Sequence, residues 1–166
     1  SLLFSCVLNE QGLLSDTLDA RQLLKTNSVF GRAQPDEVST KSHCLEQKQK
    51  LDSGCVWVTQ GFIGSDDKTQ TTTLGRGGSD YSAALLAAGF NATDLQIWTD
   101  VAGIYTTDPR ICSSARAIAE MSFSEAAELA TFGAKILHPS SLAPAIKNSI
   151  RVFIGSSQNA AAGGTY

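Results

Sequence analysis

The 166 residues suffice for one domain with a buried core and are too few for two domains of ordinary size. Thirteen Lys and Arg against sixteen Asp and Glu give a net charge of -3, and the basic residues are scattered, which excludes nucleic acid as the main partner. Hydrophobic residues make up 42% of the chain without an apolar run of about 18 residues, so we expect a soluble protein outside the membrane. The charged fraction of 17% lies below the usual figure of about 25%, which indicates that another chain or another part of a longer protein covers some of the surface.

The first fifty residues predict a helix, a strand and two further helices. Apolar residues from Leu2 to Leu8 recur at helical spacing with no cap before them, which we interpret as a chain that begins within a helix. Gly12 is suited to end this helix, residues 13–18 predict a short strand, and Asp19 is placed to cap a helix through Leu24. The polar run over residues 41–50 predicts a solvent-exposed helix.

The four cysteines are widely separated and include no Cys-x-x-Cys pair. They are Cys6, Cys44, Cys55 and Cys112. This spacing predicts neither a disulfide framework nor a zinc site, so we expect no metal ligands and a reduced, cytoplasmic setting. His43 and Cys44 fall in the polar run and are predicted to be surface residues.

From Cys55 onwards, strands and helices alternate. Residues 55–59 are typical of a central strand covered on both faces, residues 65–73 predict a Thr-rich loop, and residues 81–90 predict a buried helix. Residues 95–99 and 151–154 predict two further strands. Alternation of this kind predicts an α/β fold with a mostly parallel central sheet and helices on both faces.

The last third of the chain carries helix signals. Ser122 and Glu125 have the spacing of a capping box, which predicts a helix to about Phe132 that Gly133 ends. Pro139 suits the first turn of another short helix. The Ala/Gly-rich residues after Gln158 are expected to fray or to pair with sequence outside this chain.

The segment Gly75-Arg76-Gly77-Gly78-Ser79-Asp80 stands directly before the buried helix. Glycines let a ligand approach the backbone closely, and free N–H groups at a helix start favour an anion, which Arg76 could grip with two hydrogen bonds. The segment has neither the Gly-Lys-Ser/Thr of a P-loop nor the third glycine of a dinucleotide fingerprint. The alternative is a tight turn in which Ser79 or Asp80 caps the helix and Arg76 lies in solvent, and the spacing leaves both interpretations open.

Two further loops carry polar groups suited to a nucleotide. Residues 98–110 combine Thr99 and Asp100 at a strand end with Tyr105 and Arg110, and the alternative is a long surface loop. In residues 132–139, Lys135 could reach a phosphate or could neutralise the end of the preceding helix. His138, before Pro139, is predicted to be structural.

Four segments together resemble the aspartate kinases of the amino-acid kinase superfamily, most of all the lysine-sensitive bacterial type. They are Thr59-Gln60-Gly61-Phe62-Ile63-Gly64, residues 71–80, residues 98–110, and Phe132-Gly133-Ala134-Lys135-Ile136-Leu137-His138-Pro139. The resemblance implies a three-layer α/β sandwich and transfer of phosphate from magnesium ATP to the side-chain carboxylate of L-aspartate. That reaction opens lysine, threonine and methionine biosynthesis. A homo-oligomer is implied for the full-length parent.

The same resemblance implies a role for individual residues. Asp80 would orient a catalytic lysine. The substrate-binding residues would be Phe62, Arg76, Gly77, Gly78 and Ser79. The residues lining the ATP site would be Thr99, Asp100, Tyr105, Arg110, Lys135 and Ile136.

Parts of the family pattern have no counterpart in this sequence. The Lys-Phe-Gly-Gly motif, the acidic substrate-binding residue placed just ahead of Ser1, and the regulatory ACT domains are absent. We therefore expect the latter part of a catalytic domain with negligible turnover by itself. Two alternatives remain: a kinase for glutamate or acetylglutamate, and a nucleotide-binding piece without catalysis.

Overall fold

The computed structural model describes residues 1–131 and 139–166, with helices and strands alternating along the chain. It divides into two compact units, Ser1–Asn91 and Ala92–Tyr166. Parallel strand pairing occurs in both units, as the predicted α/β fold requires. No helix in the described part of the chain is both long and apolar enough to cross a bilayer.

Unit 1 contains four helices and four strands. They are α1 (Leu2–Glu10), β1 (Ser15–Leu18), α2 (Ala20–Leu23), α3 (Glu37–Lys48), β2 (Val56–Thr59), β3 (Ile63–Ser65), β4 (Thr71–Thr73) and α4 (Gly78–Gly89). Strands β1 and β2 pair in parallel, and β3 and β4 form an antiparallel hairpin. The Asp19 carboxylate accepts a hydrogen bond from the Arg21 amide, which confirms the predicted cap of α2.

The core of unit 1 gathers residues from both ends of its sequence. Its buried members are Leu18, Ala20, Leu23, Leu24, Cys44, Leu74 and Leu85. Cys44 is fully buried, so its prediction as a surface residue was wrong: α3 turns this side chain towards Gly89 of α4. Burial raises the pKa of the Cys44 thiol to about 11, so the group is an uncharged packing element.

Two other sequence expectations for unit 1 also fail. Strand β2 is not covered on both faces, because Val56 is 45% exposed and the strand's other side chains are half-buried. Residues 65–73 are not a plain loop, because Ile63 to Ser65 pairs with Thr71 to Thr73. The buried Asp66 carboxylate accepts hydrogen bonds from the amides of Lys68 and Gln70 and thereby closes the hairpin turn.

The described residues of unit 2, 92–131 and 139–166, form two α-helices and five strands. They are β5 (Asp94–Thr99), β6 (Ile104–Tyr105), β7 (Ala117–Ile118), α5 (Phe123–Thr131), α6 (Ala143–Lys147), β8 (Arg151–Ser156) and β9 (Gly164–Thr165). A short 3-10 helix starts at Pro139, as predicted. The Ser122 amide donates to the Glu125 carboxylate and the Glu125 amide to Ser122 Oγ, which confirms the capping box.

The C-terminal tail is ordered, contrary to the expectation that it frays or pairs elsewhere. Residues Ala160–Ala162 form a 3-10 helix, and β9 pairs antiparallel with β8. Thr165 is buried, and its hydroxyl accepts from the Ile104 amide at 2.8 Å and donates to the Ile118 carbonyl at 2.6 Å. One side chain therefore joins β9 to both β6 and β7.

Candidate functional site

The start of α4 presents backbone amides without a side-chain cap. Gly77 precedes the helix in the left-handed conformation at φ 71°, which favours glycine. Neither Ser79 nor Asp80 caps the helix, but the tight turn of that alternative does form, because the Gly78 amide donates to the Gly75 carbonyl at 3.0 Å, and Arg76 is exposed. Among the described residues, the amides of Ser79 and Asp80 have no hydrogen-bond acceptor. They are therefore available to an anion.

Phe62 and Gly61 lie directly against this helix start. A Cβ atom on Gly78 would lie 2.7 Å from Cδ2 of Phe62, and one on Gly61 would lie 3.3 Å from Cβ of Ser79. The segment after β2 and the first turn of α4 are therefore in close contact. Phe62 is 41% exposed, so its ring has both a packed part and a part that faces solvent.

Arg76 and Asp80 place opposite charges beside the same turn. Arg76 is exposed and has no ion pair among the described residues. Asp80 is half-buried in the first turn of α4, and burial raises the pKa of its carboxyl above the ordinary value. The geometry thus combines a free guanidinium, two free amides and a partly desolvated carboxylate.

The second set of predicted residues lies in unit 2, where β5 and β8 end together. Their parallel register pairs Thr99 with Ser156, and the Thr99 carbonyl accepts a hydrogen bond from the Ser157 amide at 2.8 Å. Thr99 Oγ1 donates to the Asp100 carboxylate at 3.0 Å. Carboxyl ends of neighbouring parallel strands are where α/β proteins bind ligands.

The loop that follows β5 is more ordered than its sequence indicates. Tyr105 lies in β6, half-buried, and β6 pairs antiparallel with β7. Arg110 forms a two-point ion pair with Asp108, at 3.0 Å from Nε to Oδ1 and 2.6 Å from Nη2 to Oδ2. Lys135 and Ile136, together with Gly133 and His138, lie outside the described residues.

Unit 2 also holds an apolar cavity of about 230 Å³. Its walls include Met121, Phe123, Leu142 and Val152, and none of the described residues predicted to bind ATP, which are Thr99, Asp100, Tyr105 and Arg110. The lining is mostly apolar, although it includes Arg151 and Glu120, and we assign no part of the predicted nucleotide site to it.

No group of three or more His, Cys, Asp or Glu side chains in the described ranges could hold a metal ion. Mg²⁺ in kinases keeps several waters and binds through substrate phosphates with one or two carboxylates, so it needs no such group. The exposed Asp100 and the half-buried Asp80 are carboxylates of the kind that could bind Mg²⁺ together with substrate phosphates.

Sequence reasoning did not predict the burial of two hydroxyl groups that the structure shows to join separate segments. Ser82 is buried in α4, and Thr165 is buried in β9. A hydroxyl inside an Ala/Leu-rich buried helix must find hydrogen-bond partners, and this signal could have identified Ser82. No comparable signal marks Thr165, because its partners are 61 and 47 residues away in sequence.

Comparisons with known proteins bear on the family of the chain. The model of the amino acid kinase family matches residues 1–156. Lysine-sensitive aspartokinase 3 of Escherichia coli K12 is 53% identical over 99% of this chain, which spans 37% of that protein. The aspartokinase of Chlamydia pneumoniae is 43% identical over 90% of the chain, with 33% of its own length covered.

Solved structures extend the agreement to the fold. The crystal structure of E. coli aspartokinase III in complex with aspartate and ADP matches with a TM-score of 0.90 and 53% identity, over 99% of this chain and 37% of that one. The chain spans only about a third of the length of its curated relatives. The predicted α/β fold of this superfamily is confirmed, and the chain belongs to the amino acid kinase family.

Proposed function

We propose that this chain forms part of an aspartate kinase, which transfers phosphate from ATP to the side-chain carboxylate of L-aspartate. The observation that carries the proposal is the uncapped start of α4, where free amides of Ser79 and Asp80 lie beside Arg76 and Phe62. A relative at 53% identity has been solved with aspartate and ADP bound, which supports the same ligands here.

In this proposal the first turn of α4 binds aspartate. Arg76 grips a carboxylate through its planar fork of donors, and the free amides of Ser79 and Asp80 complete the anion site. Gly77 and Gly78 leave room for the substrate, while the exposed part of the Phe62 ring forms one wall. Asp80 orients the ammonium of a catalytic lysine, which explains a carboxylate beside bound anions.

The nucleotide is assigned to the carboxyl end of β5 and the loop after it. Thr99 and Asp100 offer hydrogen bonds to the nucleoside, Tyr105 a stacking face, and Arg110 a cation for phosphate once it leaves Asp108. Lys135 and Ile136 complete this proposed set. Mg²⁺ is expected to enter with ATP and to neutralise charge on the phosphates.

The reaction needs no covalent intermediate on the protein. The substrate carboxylate attacks the γ-phosphate in line while cations stabilise the charge on the transferring oxygens. The chain's own residues therefore act by holding aspartate still and oriented. We also expect the natural-length gene product to be a cytoplasmic homo-oligomer. Light scattering of the purified protein would measure its oligomeric state.

The test is a coupled assay of ADP release by the natural-length gene product with magnesium ATP. We expect turnover with L-aspartate and little with L-glutamate or N-acetyl-L-glutamate, and an Arg76→Ala variant should lose most of it. Preference for either of the other acceptors would reassign the substrate. Calorimetric ATP binding without turnover on any acceptor would instead favour a non-catalytic nucleotide-binding role.

A further inference from the structure

Ser82 connects the two segments that form the proposed aspartate site. It lies one turn into α4 and is 2% exposed. Its hydroxyl donates to the Gly78 carbonyl at 2.6 Å and accepts from the Phe62 amide at 2.8 Å. The first of these bonds is the usual backward contact of a helical serine, whereas the second reaches a segment 20 residues earlier.

The residue at the other end of this second bond is strained. Phe62 has φ 74°, a left-handed conformation that is uncommon for any residue except glycine. Its carbonyl accepts a hydrogen bond from the Leu74 amide at 3.0 Å, so both backbone polar groups of Phe62 are held. A backbone in this conformation persists only where its surroundings fix it.

The position of the Phe62 ring depends on that backbone conformation. The ring lies over Gly78, at the helix start whose amides are free. If the Phe62 amide lost its acceptor, the residue could relax towards a negative φ, and the ring would then leave the helix start. Ser82 itself is buried beneath this contact and has no access to a ligand.

We propose that Ser82 is a positioning residue, which sets the affinity for aspartate by holding Phe62 against α4. This inference rests on the proposed function, since it concerns the same site. It assigns to a buried hydroxyl an effect on substrate binding through another residue, without contact with aspartate.

The experiment compares Ser82→Ala, which removes the hydroxyl, with Ser82→Thr, which keeps it. Both are made in the natural-length gene product, with Ser53→Ala, an exposed hydroxyl outside the site, as control. Loss of the Ser82 hydroxyl that accepts from the partly buried Phe62 amide predicts a KM for aspartate about tenfold higher in Ser82→Ala. Ser82→Thr and the control should stay within about twofold of wild type, and KM for ATP should be unchanged.

A second readout does not depend on turnover. In amide hydrogen exchange followed by NMR, the Phe62 amide should exchange faster in Ser82→Ala than in Ser82→Thr, while amides of the β5–β8 pair keep their protection. Equal KM values for aspartate in the two variants would overturn the positioning role. So would a Ser82→Ala protein without a cooperative thermal transition, because the hydroxyl would then serve the whole fold.

The experiment distinguishes failure of the proposed function from failure of the role of Ser82. Wild-type protein without aspartate-dependent ADP release would overturn the proposed function itself, and with it any role of Ser82 in aspartate affinity. Wild-type turnover with aspartate, combined with equal KM values in Ser82→Ala and Ser82→Thr, would overturn the role of Ser82 alone.

Discussion

The ring of Phe62 covers the backbone of Gly78 so closely that a methyl group on Gly78 would lie 2.7 Å from Cδ2 of the ring. Real Cβ atoms do not approach other atoms to this distance, so glycine is required where the ring meets the helix. The contact couples the segment after β2 to the first turn of α4. Substitution at Gly78 should therefore change the site more than the stability of the helix.

Gly78→Ala should weaken aspartate binding. Alanine is the better helix former, but its Cβ would also lie 3.1 Å from Leu74 Cβ, so overpacking should lower the thermal midpoint while the Phe62 ring moves. Displacement of a wall of the site should raise KM for aspartate by about tenfold to a hundredfold. Steady-state kinetics measures this, with Gly54→Ala as control, because a Cβ there lies 3.4 Å from Asp52 Oδ1, an ordinary contact. Unchanged kinetics in Gly78→Ala would contradict the arrangement.

Asp80→Asn should stabilise the protein at neutral pH while removing activity. Burial raises the pKa of Asp80, so the folded state holds its proton more tightly than the unfolded state. The resulting cost is absent below the ordinary aspartate pKa of about 4 and is fully present above the raised folded value. Thermal melts of both proteins across this range should show a gain for Asn at pH 7 that vanishes at acid pH. A gain independent of pH would contradict the burial of this charge.

Gly89→Ala should destabilise unit 1. A Cβ on Gly89 would lie 2.6 Å from Cys44 Sγ, and overpacking of this kind costs about 1–3 kcal/mol. Adding Cys44→Ala removes the sulfur and should recover part of that loss, although the Cys44 Cβ at 2.9 Å remains. Urea unfolding of the two single variants and the double variant gives the coupling energy. Additive effects would show that α3 and α4 do not meet at this contact.

Thr165→Val should destabilise unit 2 although valine has nearly the same shape. The substitution removes the acceptor for the buried Ile104 amide and the donor to the partly buried Ile118 carbonyl, at a cost of about 1–3 kcal/mol. Urea unfolding measures the change in the free energy of unfolding. The control is Thr107→Val, an exposed threonine with no hydrogen bond in the described ranges. Equal stability of the two variants would mean that the tail does not hold β6 and β7.

Residues close together in the sequence predicted the helix caps and turns correctly. The Asp19 cap, the Ser122–Glu125 capping box and the glycine turn before α4 are each formed by residues within a few positions of one another. Contacts distant in sequence were missed. Cys44 is buried because α4 packs on it, and the tail is ordered because Thr165 finds partners in β6 and β7.

The candidate site divides in the same way. Glycine spacing and Arg76 predicted an anion site at the helix start as one of two interpretations, because both features are local, and the anion site stays a prediction. The closeness of Phe62 to Gly78 and the part played by Ser82 depend on how β2, the β3–β4 hairpin and α4 pack. Periodicity and composition carry no information on that packing.

The most direct test of aspartate binding at the start of α4 is an NMR titration of the natural-length protein with L-aspartate, following backbone amides. The signals of Ser79 and Asp80 should shift most, because a bound carboxylate would occupy their free N–H groups. Arg76→Ala should require a higher aspartate concentration for the same shifts. Saturable shifts elsewhere in the chain, with the Ser79 and Asp80 amides unchanged, would contradict the site.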